Sequence, residues 1–205
     1  VNAKNKVQHV GTVEILNALK EQIVPVLETL QRLFNQGETY SEISSNKDHP
    51  AHELLYVVGG FVRDLLMEQP LNDIDLMVVG DGISFAKKLA LKLGQKKIVP
   101  FTKFGTAIIP NKKISIEIAT ARTESYSQNS RKPTEVIYTN LEGDLARRDF
   151  TINAMAVNIL PNQFGVLIDP YDGIEDIRRK VLKTPLNPDE TFAEDPLRMM
   201  RAAYF

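Results

Sequence analysis

The chain has 205 residues, 43% of them hydrophobic and 25% charged, and a formal net charge of −1. Those figures describe a folded soluble protein of one domain with room for the start of a second, and exclude a global basic field for nucleic acid. With no cysteine and three scattered histidines, disulfides, thiolate sites and zinc are not expected, so any metal would sit among carboxylates as magnesium or manganese. No apolar run reaches the roughly 18 residues of a membrane span and no signal-peptide pattern opens the chain, so a cytoplasmic protein is expected.

Apolar residues at Ile15, Leu16, Leu19, Ile23, Val26, Leu27, Leu30 and Phe34 recur with a helical period, and Pro25 predicts a kink or two shorter helices. The polar, turn-rich stretch Asn35–Pro50 reads as a linker. A strand at Leu54–Val58, a helix at Phe61–Met67, a strand at Ile74–Val79 and a helix at Ile83–Leu93 follow. Further strands are expected near Ile98–Phe101, Thr106–Ile109 and Ile114–Ala119. Arg122–Val136 reads as a long polar loop, a kind that is usually functional or mobile. Thr151–Val157 is predicted as a helix running into a strand, and another strand precedes Asp169. Between Asp172 and Phe192 come a short helix and a Pro-rich turn. Asp195–Phe205 begins an amphipathic helix without a stop signal, which predicts a segment of a longer protein.

Asp73 and Asp75 stand two apart in an apolar strand pattern, so both side chains leave one face of the sheet. Two adjacent carboxylates repel, and burial worsens the repulsion; a divalent cation removes both penalties. An isolated Asp-x-Asp is as readily a turn with a cap. Glu117 adds weight, because Ile114, Ile116 and Ile118 alternate with Ser115 and Glu117, placing the acid on the polar side of a neighbouring strand. Three carboxylates on adjacent strands suit two-metal displacement at phosphorus. Before them, Gly59-Gly60 closes a strand and opens the helix that carries Arg63. Glycines let backbone N–H groups approach a ligand, and a helix start favours anions, so this order makes a cradle for a triphosphate. A bare Gly-Gly is more commonly a tight turn; its position before Asp-x-Asp is what favours the cradle.

The order Gly-Gly, helix, Asp-x-Asp resembles the polymerase β-like nucleotidyltransferase superfamily. "GGFVRDLLMEQPLNDIDL" is similar to the signature of class II tRNA nucleotidyltransferases (CCA-adding enzymes) and the related bacterial poly(A) polymerases. "RRDFTINAMAV", "DPYDGIEDI" and "EDPLRMMRAAYF" follow in the same order, so the resemblance covers about residues 54–205. It implies an α/β (α+β mixed) head with a mixed sheet and flanking helices over residues 51–180 and the start of a helical neck over 181–205; residues 1–50, which it does not cover, read from their own apolar period as a helical extension and linker. It also implies AMP and CMP transfer from ATP and CTP to an RNA 3′ end, that of tRNA, with magnesium or manganese and release of pyrophosphate. Asp73 and Asp75 then resemble the metal-binding aspartates, with Glu117 as third catalytic acid. Gly59, Gly60 and Arg63 look like contacts to the incoming nucleotide. Arg148 and Asp149 would handle triphosphate and ribose, with Asn153 in support. Asp169 and Asp172 read as scaffold residues.

Asp195, Arg198 and Arg201 recur every three residues, a drifting stripe on one helix. The plain reading is a salt-bridged face, Glu194 with Arg198 at i,i+4. Cytosine and adenine, however, both offer an amino donor beside a ring-nitrogen acceptor. A carboxylate that accepts and a guanidinium that donates complement both bases, which is the role the resemblance implies for Asp195 and Arg198. Tyr204 departs from the family, where arginine is common at that position. The loop Arg122–Val136 is expected to move when the enzyme changes from C to A. A poly(A) polymerase, a CC-adding or A-adding specialist, a non-catalytic RNA-binding relative, and a sugar- or drug-modifying transferase remain as alternatives.

Overall fold

The computed structural model describes residues 7–9, 55–71, 73–110, 115–125, 135–160, 163 and 165–205. The helices predicted over residues 13–34 and the linker over 35–50 lie outside them. Strands β1 (Val7–His9), β2 (Leu55–Val58) and β3 (Asp73–Val78) come first, with helix α1 (Gly60–Leu66) between β2 and β3. Helix α2 (Gly82–Lys92), β4 (Val99–Phe101), β5 (Thr106–Ile109) and β6 (Ser115–Thr120) follow. Next come β7 (Arg122–Ser125), β8 (Glu135–Tyr138), α3 (Leu141–Ala146), β9 (Ala156–Asn158) and β10 (Val166–Ile168). Helices α4 (Gly173–Arg179), α5 (Pro188–Glu194) and α6 (Leu197–Ala202) complete the described chain.

One eight-stranded sheet runs in the order β1-β10-β9-β2-β3-β6-β5-β4. Only β3 and β6 pair in parallel; the other neighbours are antiparallel. A parallel pair needs a crossover, and α2 supplies its helical part. Asp81 starts that helix by accepting from Ser84 N at 2.9 Å. Phe85, Ala86, Leu89 and Ala90, spaced three and four apart, form its buried face. Ile74 and Leu76 on β3 and Ile116 and Ile118 on β6 are fully or almost fully buried, so the centre of the core holds the two acid-bearing strands rigidly. The expected mixed sheet with flanking helices is the fold found.

Three expectations change. Thr151–Val157 is not a helix: a single 3-10 turn over Thr151–Asn153 leads into β9. Every residue from Phe150 to Leu160 is buried, so no polar face marks a period. The polar loop after Arg122 begins and ends in strand, β7 pairing antiparallel with β8; its middle, residues 126–134, lies outside the described residues. The helix expected to start at Asp195 covers Leu197–Ala202 instead. Asp195 is extended (φ −143°, ψ 101°) because the ring of Pro196 disfavours helical backbone in the residue before it, and α6 starts only afterwards.

Asp169 and Asp172 do scaffold work. Asp169 accepts from Gly173 N at 2.7 Å and Ile174 N at 3.0 Å, closing the start of α4. Asp172 takes the left-handed conformation at φ 60°. A Cβ on Gly173 would stand 2.4 Å from the Thr151 carbonyl oxygen, so α4 seats directly on the 3-10 turn.

Candidate active site

The parallel pairing sets Asp75 directly opposite Glu117 and Asp73 opposite Ser115. Asp73, Asp75 and Glu117 therefore leave one face of β3 and β6, as the alternation requires. Asp75 is the most enclosed of the three, while Asp73 and Glu117 are exposed. Burial pushes Asp75 up to about 6; Asp73 and Glu117 push it the same way, and Arg148 and Arg63 pull back without prevailing. Oxygen donors whose ionised forms repel suit a divalent cation of the magnesium or manganese kind. Among the described residues, no group of three acid or histidine side chains is already closed on one point.

Gly59 ends β2 with φ 70° and ψ −136°, a conformation open to glycine. A Cβ there would stand 2.6 Å from Arg148 Nη1 and 3.6 Å from Asp75 Oδ2. The missing side chain thus leaves room for a guanidinium and a carboxylate to approach the same strand end. Gly60 lies against Arg63, whose Nη2 would be 3.5 Å from a Cβ there. The turn serves both arginines.

A second group is wired by hydrogen bonds. Arg63 Nη1 donates to Asn153 Oδ1 at 2.7 Å, and Asn153 Nδ2 donates to Asp149 Oδ1 at 3.1 Å. Asp149 is buried; its Oδ1 also accepts from Phe150 N at 2.9 Å. Its Oδ2 lies 3.0 Å from Arg201 Nε, an ion pair without hydrogen-bond alignment, so this buried oxygen keeps an unmet acceptor. Phe205 stacks beneath both cations, 4.6 Å from Arg63 Cζ and 5.9 Å from Arg201 Cζ, and meets Phe150 edge-on. Arg148 Nη1 donates to the Asn153 carbonyl at 3.3 Å, joining the two groups.

The base-reading pair is arranged otherwise than the stripe suggests. Asp195 sits between α5 and α6, where its Oδ1 accepts from Leu197 N at 3.0 Å. Arg198 does not meet that carboxylate. Its Nη1 donates to Glu194 Oε2 and to the Thr191 carbonyl, each at 3.1 Å, and its Nη2 donates to the Arg147 carbonyl at 3.0 Å. The plain i,i+4 bridge is therefore present, and it is buried on the arginine side. Tyr204 is 87% exposed and contacts the Phe205 ring.

Asp144 was not singled out from the sequence, yet it is almost fully buried beneath Arg147 and Arg148. Burial works to raise it, but the two guanidiniums and their hydrogen bonds outweigh burial and hold it below the ordinary carboxylate range. The spacing of Asp144 from Arg147 and Arg148, i,i+3 and i,i+4, was the signal that would have found it.

The family described as the poly A polymerase head domain matches residues 55–183. An A-adding tRNA nucleotidyltransferase of Aquifex aeolicus (strain VF5) is 43% identical over 150 residues, 73% of this chain and 18% of that protein. The solved complex of a CCA-adding enzyme with CTP superposes with a TM-score of 0.71 at 31% identity, covering 96% of this chain and 39% of that one. A tRNA nucleotidyltransferase solved with a primer tRNA and an incoming ATP analog gives 0.60 at 39% identity, covering 73% of this chain and 40% of that one. The chain spans between about a fifth and two-fifths of the length of these relatives.

Proposed function

This chain belongs to the poly A polymerase head domain family, and on that premise we propose that it is the catalytic head of an RNA nucleotidyltransferase. Its reaction is template-independent transfer of CMP and AMP from CTP and ATP to a tRNA 3′ end, with release of pyrophosphate. The observation that carries this reading is Asp75 facing Glu117 across a parallel strand pair beside the Gly59–Arg148 approach. Residues 51–180 form the head and 181–205 the start of a neck, working in the cytoplasm. Among the described residues no helix is long and apolar enough to cross a membrane.

Asp73 and Asp75, assisted by Glu117, would hold magnesium or manganese, which when bound supplies charge neutralisation for in-line displacement at the α-phosphorus. Arg148, Arg63 and the backbone of Gly59 and Gly60 take the triphosphate. Asp149 offers Oδ2 to a ribose hydroxyl, a donor that would satisfy its unmet acceptor. Asn153 keeps Asp149 and Arg63 in register, and Arg201 stands beside Asp149. Arg198 uses three of its five N–H groups on Thr191, Glu194 and Arg147, leaving two for a base edge that Asp195 completes as acceptor.

An A-adding specialist is the second reading, favoured by the Aquifex aeolicus relative. The deciding experiment incubates the full-length protein with tRNA ending before CCA and with tRNA ending in CC, supplying CTP and ATP separately and together. CCA addition requires CTP incorporation on the first tRNA; incorporation confined to ATP on the second selects the specialist. Absence of any transfer overturns both.

A further inference from the structure

Resting on the nucleotidyl-transfer reading, we propose that Asp144 is a positioning residue for that reaction, fixing the Arg148 guanidinium at the mouth of the Gly59 turn. Both Asp144 oxygens are committed. Oδ1 accepts from Arg147 Nε at 3.1 Å, Arg147 Nη2 at 2.7 Å and Arg122 N at 3.2 Å. Oδ2 accepts from Arg148 Nη2 at 2.9 Å and Nε at 3.3 Å. This is a two-pronged grip along one edge of the Arg148 fork, which fixes the plane of the guanidinium as well as its place.

With that edge held, Nη1 is the prong that projects toward the site. It reaches the Asn153 carbonyl and lies where a Gly59 side chain would otherwise be, on the side of Asp75. A phosphate at that strand end would meet an arginine already oriented, so little rotamer freedom remains to be lost on binding. The Asp144 side chain is 1% exposed against 19% for Arg148. The carboxylate is sealed from solvent while the cation it holds is not, the arrangement of a support beneath a working group.

The same carboxylate ties the site to two other elements. Arg147 Nε donates to the Arg122 carbonyl at 2.7 Å, so the first residue of β7 is bracketed through both its backbone N–H and its carbonyl. The Arg147 carbonyl in turn receives Arg198 from α6. Asp144 therefore underlies the arginine that lies against Gly59 on the side of Asp75, and indirectly the seat of the arginine proposed to read the base.

The test uses full-length protein with tRNA and ATP, comparing Asp144→Asn, Arg148→Lys and the double variant, with circular dichroism to check folding. Asp144→Asn is expected to raise KM for ATP about tenfold or more with a smaller change in kcat. In the Arg148→Lys background, which lacks the fork, the same change should add less than about twofold. If Asp144→Asn does not fold, Asp144→Glu takes its place, keeping the charge while displacing the fork, with the same split expected. Full multiplicative effects in the double variant, an unchanged KM in a folded variant, or failure of both substitutions to fold each overturn the positioning role. Wild-type protein that transfers no nucleotide overturns the underlying reading as well; an active wild type separates the two.

Discussion

Asp75 and Glu117 are register partners across β3 and β6, two carboxylates placed side by side by the one parallel pairing in the described sheet. Such a contact is unfavourable when both are ionised, and burial of Asp75 makes it worse. Asp75→Asn should therefore abolish nucleotide transfer, by about a thousandfold or more, while leaving the fold intact. Near-normal turnover in single-turnover assays would remove Asp75 from the reacting centre.

The same residue predicts a pH dependence of stability without metal. Its folded-state value is raised from 3.8 to about 6, so the folded chain holds that proton more tightly than the unfolded one. The stability this provides is fully present below 3.8 and is lost as pH rises through about 6. Denaturant melts in a metal chelator should show Asp75→Asn gaining on wild type between about pH 4 and pH 8, by about 1–3 kcal/mol. Adding magnesium at pH 8 should narrow that gap by stabilising wild type. A gap that does not vary with pH rules this account out.

Gly59→Ala places a methyl group against Arg148 in a left-handed backbone conformation. A loss of about 1–3 kcal/mol from backbone strain is expected, with a larger fall in ATP affinity as Arg148 is displaced. Calorimetric melting and fluorescent nucleotide titration measure the two effects. Full ATP affinity in the variant would mean that the turn does not set Arg148.

Asp195→Asn should relax the choice between bases more than it slows transfer, because its side chain carries only a local cap at α6. Competition of CTP and ATP against GTP and UTP, read by sequencing product 3′ ends, checks this. Unchanged selectivity would leave Asp195 as the cap alone.

Arg198→Met is expected to cost about 2–4 kcal/mol whatever its effect on base choice, since it strips bonds from the buried Thr191 carbonyl and the half-buried Arg147 carbonyl. Chemical denaturation of the two proteins gives the difference. A change within about 0.5 kcal/mol would show that those bonds contribute little.

The strands and helices around the acids were legible because their patterns are local and strong. Alternation placed Glu117 on the polar side of a strand neighbouring the aspartates, and the pairing register sets it opposite Asp75. The buried stretch after Phe150 was misread because burial on every side erases the period that separates helix from strand. The break at Asp195 was written in the chain, as an Asp-Pro step inside a helical stripe; the stripe hid it. What no pattern displayed was how the arginines are held. Arg198 reaches a carbonyl 51 positions away, and such a partner has no local signature.

The crossover between β3 and β6 also bears on when the site comes into being. About forty residues must be threaded back before Glu117 can lie beside Asp75, so the entropy of closing that loop precedes any binding of a ligand. On the proposed reading, a nascent chain should lack the acid pair until β6 has left the ribosome and docked. The amides of Ile74, Leu76, Ile116 and Ile118, innermost in the sheet, should then be the last to exchange with deuterium, since only complete unfolding parts those strands.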